Sequence, residues 1–123
     1  MKQKFISAAY LVAGIVNFLP VMGLLGRARL EAGYQIKVAT PDLLILMQHR
    51  AVLFGLVGGA LLLSVFKKDW RPLTGPMGLI SMAAFILLVF MSPAVNAALL
   101  RLAFIDIMAL LLLVIGITME RRK

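Results

Sequence analysis

The sequence contains no cysteine. Disulfides, thiolate metal centres and cysteine nucleophiles are therefore excluded. It has a single histidine and a single tryptophan, and acidic residues are scarce: five Asp and Glu against thirteen Lys and Arg, for a net charge of +8. It also lacks any polar stretch long enough to build a soluble domain. Of its 123 residues 63% are hydrophobic and 15% charged, whereas soluble domains are about half apolar and a quarter charged.

What is present is hydrocarbon-like sequence in long runs. A bilayer core takes roughly 20 consecutive apolar residues to cross as a helix. Four such runs, at about residues 5–25, 41–66, 74–91 and 93–119, use up nearly the whole chain. The expected fold is all-α, a single four-helix transmembrane bundle spanning residues 1–123. The first run follows Met1-Lys2-Gln3-Lys4 without an Ala-x-Ala cleavage site, so it reads as a retained helix rather than a signal peptide.

Helix boundaries are marked by local chemistry. Thr40-Pro41-Asp42 joins an N-cap, a proline suited to the first helical position and an acid at the positive end of the helix dipole. Ser92-Pro93 repeats that cap-and-proline signal, so the fourth helix is expected to begin at once. Residues 26–40 form the one substantial loop, and Tyr34–Val38 alternates weakly enough to suggest a short extended segment. Lys67-Lys68-Asp69-Trp70-Arg71-Pro72 is a charged break whose Trp suits the membrane interface.

The positive charge is read as topology, and nucleic acid is not expected as a partner. Lys2, Lys4, Lys67, Lys68, Arg71, Arg121, Arg122 and Lys123 fall on one side, against Arg27, Arg29 and Lys37 on the other. The positive-inside rule then puts both termini in the cytoplasm. Small residues spaced by four, Ala9-Ala13-Asn17 and Ala51-Gly55-Gly59, predict close helix packing and no more than that. The Gly55–Gly59 segment is no phosphate loop, because it lies within a helix and lacks the Lys-Ser/Thr pair.

The informative residues are polar ones inside the spans, where each ionised group costs about 2.5–3.5 kcal/mol on the mildest scale. They are Arg50, Arg101 and Asp106, joined by His49, Gln48, Asn17 and Asn96. At a rise of about 1.5 Å per residue, Arg50, Arg101 and Asn17 should lie roughly 12–14 Å from the outward helix ends, with Asp106 near the midplane and Asn96 at the rim. The inward half is nearly pure hydrocarbon. This asymmetry predicts a polar pocket open to the outside, with Arg50, Arg101, His49, Asp106, Asn17 and Asn96 as ligand-binding residues.

Two arginines outnumber the one aspartate. Asp106 is expected to pair with Arg50, because the five-residue step from Arg101 turns about 140° around the helix. The other guanidinium is left for a carboxylate or phosphate, so a small anionic ligand or a membrane lipid is the expected partner. A structural alternative stands beside this: the arginines snorkel to the interface, the asparagines bridge helices, and the polar set fixes helix register. The chain is then an accessory subunit of a larger membrane complex. No cofactor, metal or catalytic residue is assigned, and an enzyme is not favoured. Haem ligation would need His49 with a methionine such as Met47, Met82 or Met108. A metal held by His49 and Asp106 lacks a third ligand. The chemistry open to those two residues is proton relay. A homodimer is as compatible with the sequence as a larger complex.

Several segments carry a family resemblance. His49-Arg50-Ala51-Val52-Leu53-Phe54-Gly55 is the most specific. Asn96-Ala97-Ala98 with Arg101, Ile105-Asp106-Ile107, Ala109-Leu110, Leu19-Pro20, and Arg29-Leu30-Glu31 followed by Tyr34 complete it. Together they resemble short bacterial four-helix membrane proteins often labelled phosphopantetheine adenylyltransferase, and more distantly DoxX-like membrane proteins. The resemblance implies a multi-pass protein of the bacterial inner membrane. The soluble adenylyltransferase carries a His-x-Gly-His motif that this sequence lacks, so no catalytic residue carries over. Small multidrug resistance transporters are similar in size but place a membrane glutamate in their first helix, where this chain has its acid, Asp106, in the fourth.

Overall fold

The computed structural model describes residues 2–122; Lys123, counted above among the terminal charges, lies outside them. The fold is all-α, and four of its helical stretches are long and apolar enough to cross a membrane: Lys2–Leu25, Pro41–Phe66, Lys68–Met91 and Ala97–Arg121. Many large apolar side chains point outward, Leu46, Leu56, Ile80, Met91 and Met108 among them. In water such a surface would aggregate; in lipid it is the surface a multi-pass membrane protein needs.

The first span is not one uniform helix. Helix α1 (Lys2–Phe18) passes into a 3-10 segment, Leu19–Leu25. Pro20 explains the change, since it offers no N–H and its ring crowds the carbonyl four residues back. Gly26, at φ 139°, then turns the chain. Residues 26–40 are not a loop throughout. Helix α2 (Arg27–Tyr34) ends at Gln35 in the left-handed region, at φ 53° and ψ 47°. No strand forms at Tyr34–Val38. Instead Leu30, Tyr34 and Val38 fold inward and pack against Leu43, Leu44, Met47, Leu99 and Leu102. Glu31 holds the return of the chain by accepting from the Val38 amide at 2.8 Å.

Helix α3 (Pro41–Phe66) starts as its sequence dictates, with the Thr40 hydroxyl accepting from the Leu43 amide at 3.1 Å. Helix α4 (Arg71–Met91) begins earlier than expected, because Pro72 fits its first turn and Lys68–Trp70 forms a 3-10 turn leading into it. Helix α5 (Ala97–Arg121) begins later, at Ala97 rather than Pro93. Its cap is Asn96, whose side-chain oxygen accepts from the Leu99 amide at 2.8 Å, while Ser92 stays outside the helix.

The bundle has a main core of Ile6, Tyr10, Ala13, Leu61, Met82, Ala109 and Leu113. At Gly58 helix α3 meets the end of α1 so closely that a Cβ would lie 2.5 Å from the Phe18 nitrogen. The small-residue stripe of α3 therefore runs Ala51, Gly55, Gly58. At Gly59, expected in it, a Cβ would meet nothing within 4 Å. Both termini lie at one end, where the Lys2 ammonium donates to the Arg122 carbonyl; α2 covers the other.

Candidate functional site

A cleft of about 180 Å³ sits in the α2 end of the bundle. Its walls are mainly apolar: Val16 from α1, Leu19 and Pro20 from the 3-10 segment, Leu102 and Ile105 from α5. Leu30, Gly33 and Tyr34 form a roof from α2, so the cleft is covered rather than open to water as expected. Leu19, Met22 and Ile105 in its lining are exposed, which opens it sideways between the 3-10 segment and α5.

Asn17, Arg50 and Asp106 bring polar groups into this apolar space, and Arg29, itself exposed, lines its edge. Arg50 is the most elaborately placed. Its Nη1 donates to the Tyr34 hydroxyl at 2.9 Å. Its guanidinium carbon lies 4.6 Å from the centroid of Phe54, 5.2 Å from that of Tyr34 and 5.8 Å from that of Phe85. These distances are within the range where a ring face attracts a cation. Phe54 follows Arg50 by four residues on α3 and so shares its face; Tyr34 and Phe85 come from α2 and α4. The guanidinium is thus enclosed by rings from three helices.

The expected Arg50–Asp106 ion pair is not formed. Among the described residues the only ion pair within 4.0 Å is Arg71–Glu120. Arg50 and Asp106 line the same cleft, at the same level. Each lies about 14 Å from the start of its helix at 1.5 Å per residue. Because α5 starts at Ala97 and not at Pro93, Asp106 lies nearer the start of its helix than expected. Asn17 is buried, donates to the Ala13 carbonyl at 2.8 Å and accepts from the Ser81 hydroxyl at 2.7 Å, so it ties α1 to α4 at the cleft wall.

Three predicted residues stand outside the cleft. Arg101 is exposed on α5, about 6 Å from the helix start, where a long side chain reaches the interface. His49 is exposed on α3 and does not line the cleft with Asp106. Asn96 is a joint: besides capping α5, its Nδ2 donates to the carbonyls of Tyr34 at 2.8 Å and Gln35 at 2.9 Å, fastening α2 to α5.

The second arginine of the cleft is Arg29, which the sequence placed among loop charges. Its signal was the Leu30-x-x-x-Tyr34 pair, one face of a short helix that must pack back. Arg71 was likewise counted as a free charge in a polar break. It is only 1% exposed. Its Nε donates to the Ser64 carbonyl at 2.8 Å, Nη1 to Glu120 at 2.7 Å, and Nη2 to the Val65 carbonyl and the Ser7 hydroxyl, each at 3.2 Å. The Tyr10 ring lies 5.0 Å from its guanidinium carbon. Beside it the hydroxyls of Ser64 and Thr74 share a 2.7 Å bond. The terminal end of the bundle, expected to be nearly pure hydrocarbon, is closed by this polar plug. Comparison of the chain with known protein families, with curated proteins and with solved structures finds no match.

Proposed function

We propose that the protein is a multi-pass protein of the bacterial inner membrane that binds a small anionic or amphipathic ligand in the roofed cleft, with Arg50 holding the anion. One observation carries the reading. A guanidinium has five N–H donors, yet the hydrogen bond to Tyr34 is the one Arg50 makes among the described residues, and no carboxylate lies within 4.0 Å of it. The aromatic rings attract the cation but leave its remaining N–H donors without acceptors, and those donors suit a carboxylate or phosphate. Arg71, with every nitrogen engaged, shows the contrast: that arginine is structural.

The apolar walls and the side opening suit a ligand with a hydrocarbon portion arriving from the lipid. Charge asymmetry supports a topology with both termini in the cytoplasm and the cleft in the outer half of the membrane. The cysteine-free chain allows a direct check: Lys37→Cys should react with an impermeant maleimide on intact cells, and Arg122→Cys only after lysis.

The binding reading is tested by native mass spectrometry of protein extracted gently from its own membrane. A ligand-sized extra mass should be retained by the wild type and by Arg101→Ala, and lost from Arg50→Ala. Retention of that mass in Arg50→Ala would overturn the reading. A second polypeptide at fixed stoichiometry with no small-molecule mass would make the chain an accessory subunit instead.

A further inference from the structure

A second cavity, of about 300 Å³, lies between α3 and α4 and is lined by Arg50, Leu53, Phe54, Val57, Ser81 and Ala84. Arg50 and Phe54 belong to both spaces. The hydrogen-bonded pair Asn17–Ser81 also joins them, Asn17 lining the cleft and Ser81 the groove. The two cavities therefore meet at one guanidinium. On the groove side, Leu53 and Ala84 are exposed and Val57 half-buried, an apolar trough on the lipid-facing surface.

We propose that the ligand is a single-chain, monoanionic amphiphile, a long-chain carboxylate, with its head on Arg50 and its chain lying in the groove between α3 and α4. The proposal rests on the binding reading above and names its ligand. Charge selects the head. Arg50 carries the unmatched N–H donors of the cleft, with Arg29 exposed at its edge, and one carboxylate suits them, whereas a dianionic phosphate would set a second negative charge beside the Asp106 carboxyl. The groove selects the chain. The trough reaches Arg50 from the lipid side, so a chain lying in it keeps its head beside the guanidinium. The trough takes one chain, and a two-chain lipid would have to leave its second chain outside it.

The test uses the full-length protein in nanodiscs and palmitate carrying a mid-chain diazirine. On irradiation, adducts should map to the α3 and α4 peptides containing Leu53, Val57 and Ala84. Unlabelled palmitate should compete, and dioleoyl phosphatidylglycerol and lysophosphatidate should compete at least tenfold less well. Ala84→Trp fills the groove at an exposed position and should cut labelling at least tenfold without lowering the melting temperature. Unchanged labelling in Ala84→Trp, adducts spread evenly over all helices, or equal competition by either of the other lipids would overturn the proposal. If the Arg50-dependent mass persists while the groove stays unlabelled, the proposal fails and the binding reading stands; if Arg50→Ala changes neither, both fail.

Discussion

The guanidinium of Arg71 and the carboxylate of Glu120 meet at 2.7 Å, joining the first residue of α4 to the last turn of α5. The same guanidinium holds the end of α3 through the Ser64 and Val65 carbonyls and α1 through Ser7. One side chain thus gathers all four spans at the terminal end.

Removing it should be costly. Breaking a buried pair by deleting one partner costs about 3–5 kcal/mol, because the groups left behind lose both water and partner. Arg71→Ala should lower the detergent unfolding midpoint sharply. Arg71→Lys should restore little of the loss, since an ammonium cannot reproduce a planar fork that bonds in several directions. A lysine variant as stable as wild type would show that charge alone matters there.

Asn96 separates two functions that one substitution can split. Asn96→Asp keeps the oxygen that caps α5 but replaces the amide donor, so it should free α2 while leaving α5 intact. Asn96→Ala loses both, adding the roughly 1 kcal/mol of a lost N-cap. Hydrogen exchange should show faster exchange in residues 27–38 in both variants, and in the first turn of α5 only in the alanine variant.

Gly58 and Gly59 are adjacent in sequence and opposite in environment. A Cβ at Gly58 would press on the Phe18 backbone, whereas one at Gly59 meets nothing within 4 Å. Overpacking of this kind costs about 1–3 kcal/mol. Gly58→Ala should destabilise by that amount, and Gly59→Ala should be neutral or slightly stabilising. Equal effects at the two sites in thermal unfolding would argue against this helix register.

Asp106 opposes any anion in the cleft it shares with Arg50. Asp106→Asn removes the acid at nearly constant shape, and in a partly buried site lifting its repulsion is worth a gain in anion affinity of up to about tenfold. Titration of palmitate into the variant should therefore show tighter binding. Weaker binding would instead mean that Asp106 orders Arg50.

Length and hydropathy alone determined the helical spans, because a bilayer leaves a chain this apolar few ways to satisfy its backbone. Thr40 and Pro41 marked the start of α3 correctly, since a cap depends only on neighbouring residues. Arg50, Asp106 and Asn17 stood out as polar residues inside the spans and do share a cleft, although Asp106 was expected deeper, near the midplane. The choice between Ser92 and Asn96 as the α5 cap was not legible, because Asn96 gains from holding the far end of α2 as well. The same holds for Arg71 and Arg101: by sequence Arg71 was a charge in the break between two helices, and Arg101 a pocket residue inside its span. Tertiary packing surrounded one with carbonyls, a hydroxyl and a carboxylate from three other helices and left the other exposed. Burial of a charge depends on what the rest of the chain brings to it, and those partners lie up to dozens of residues away.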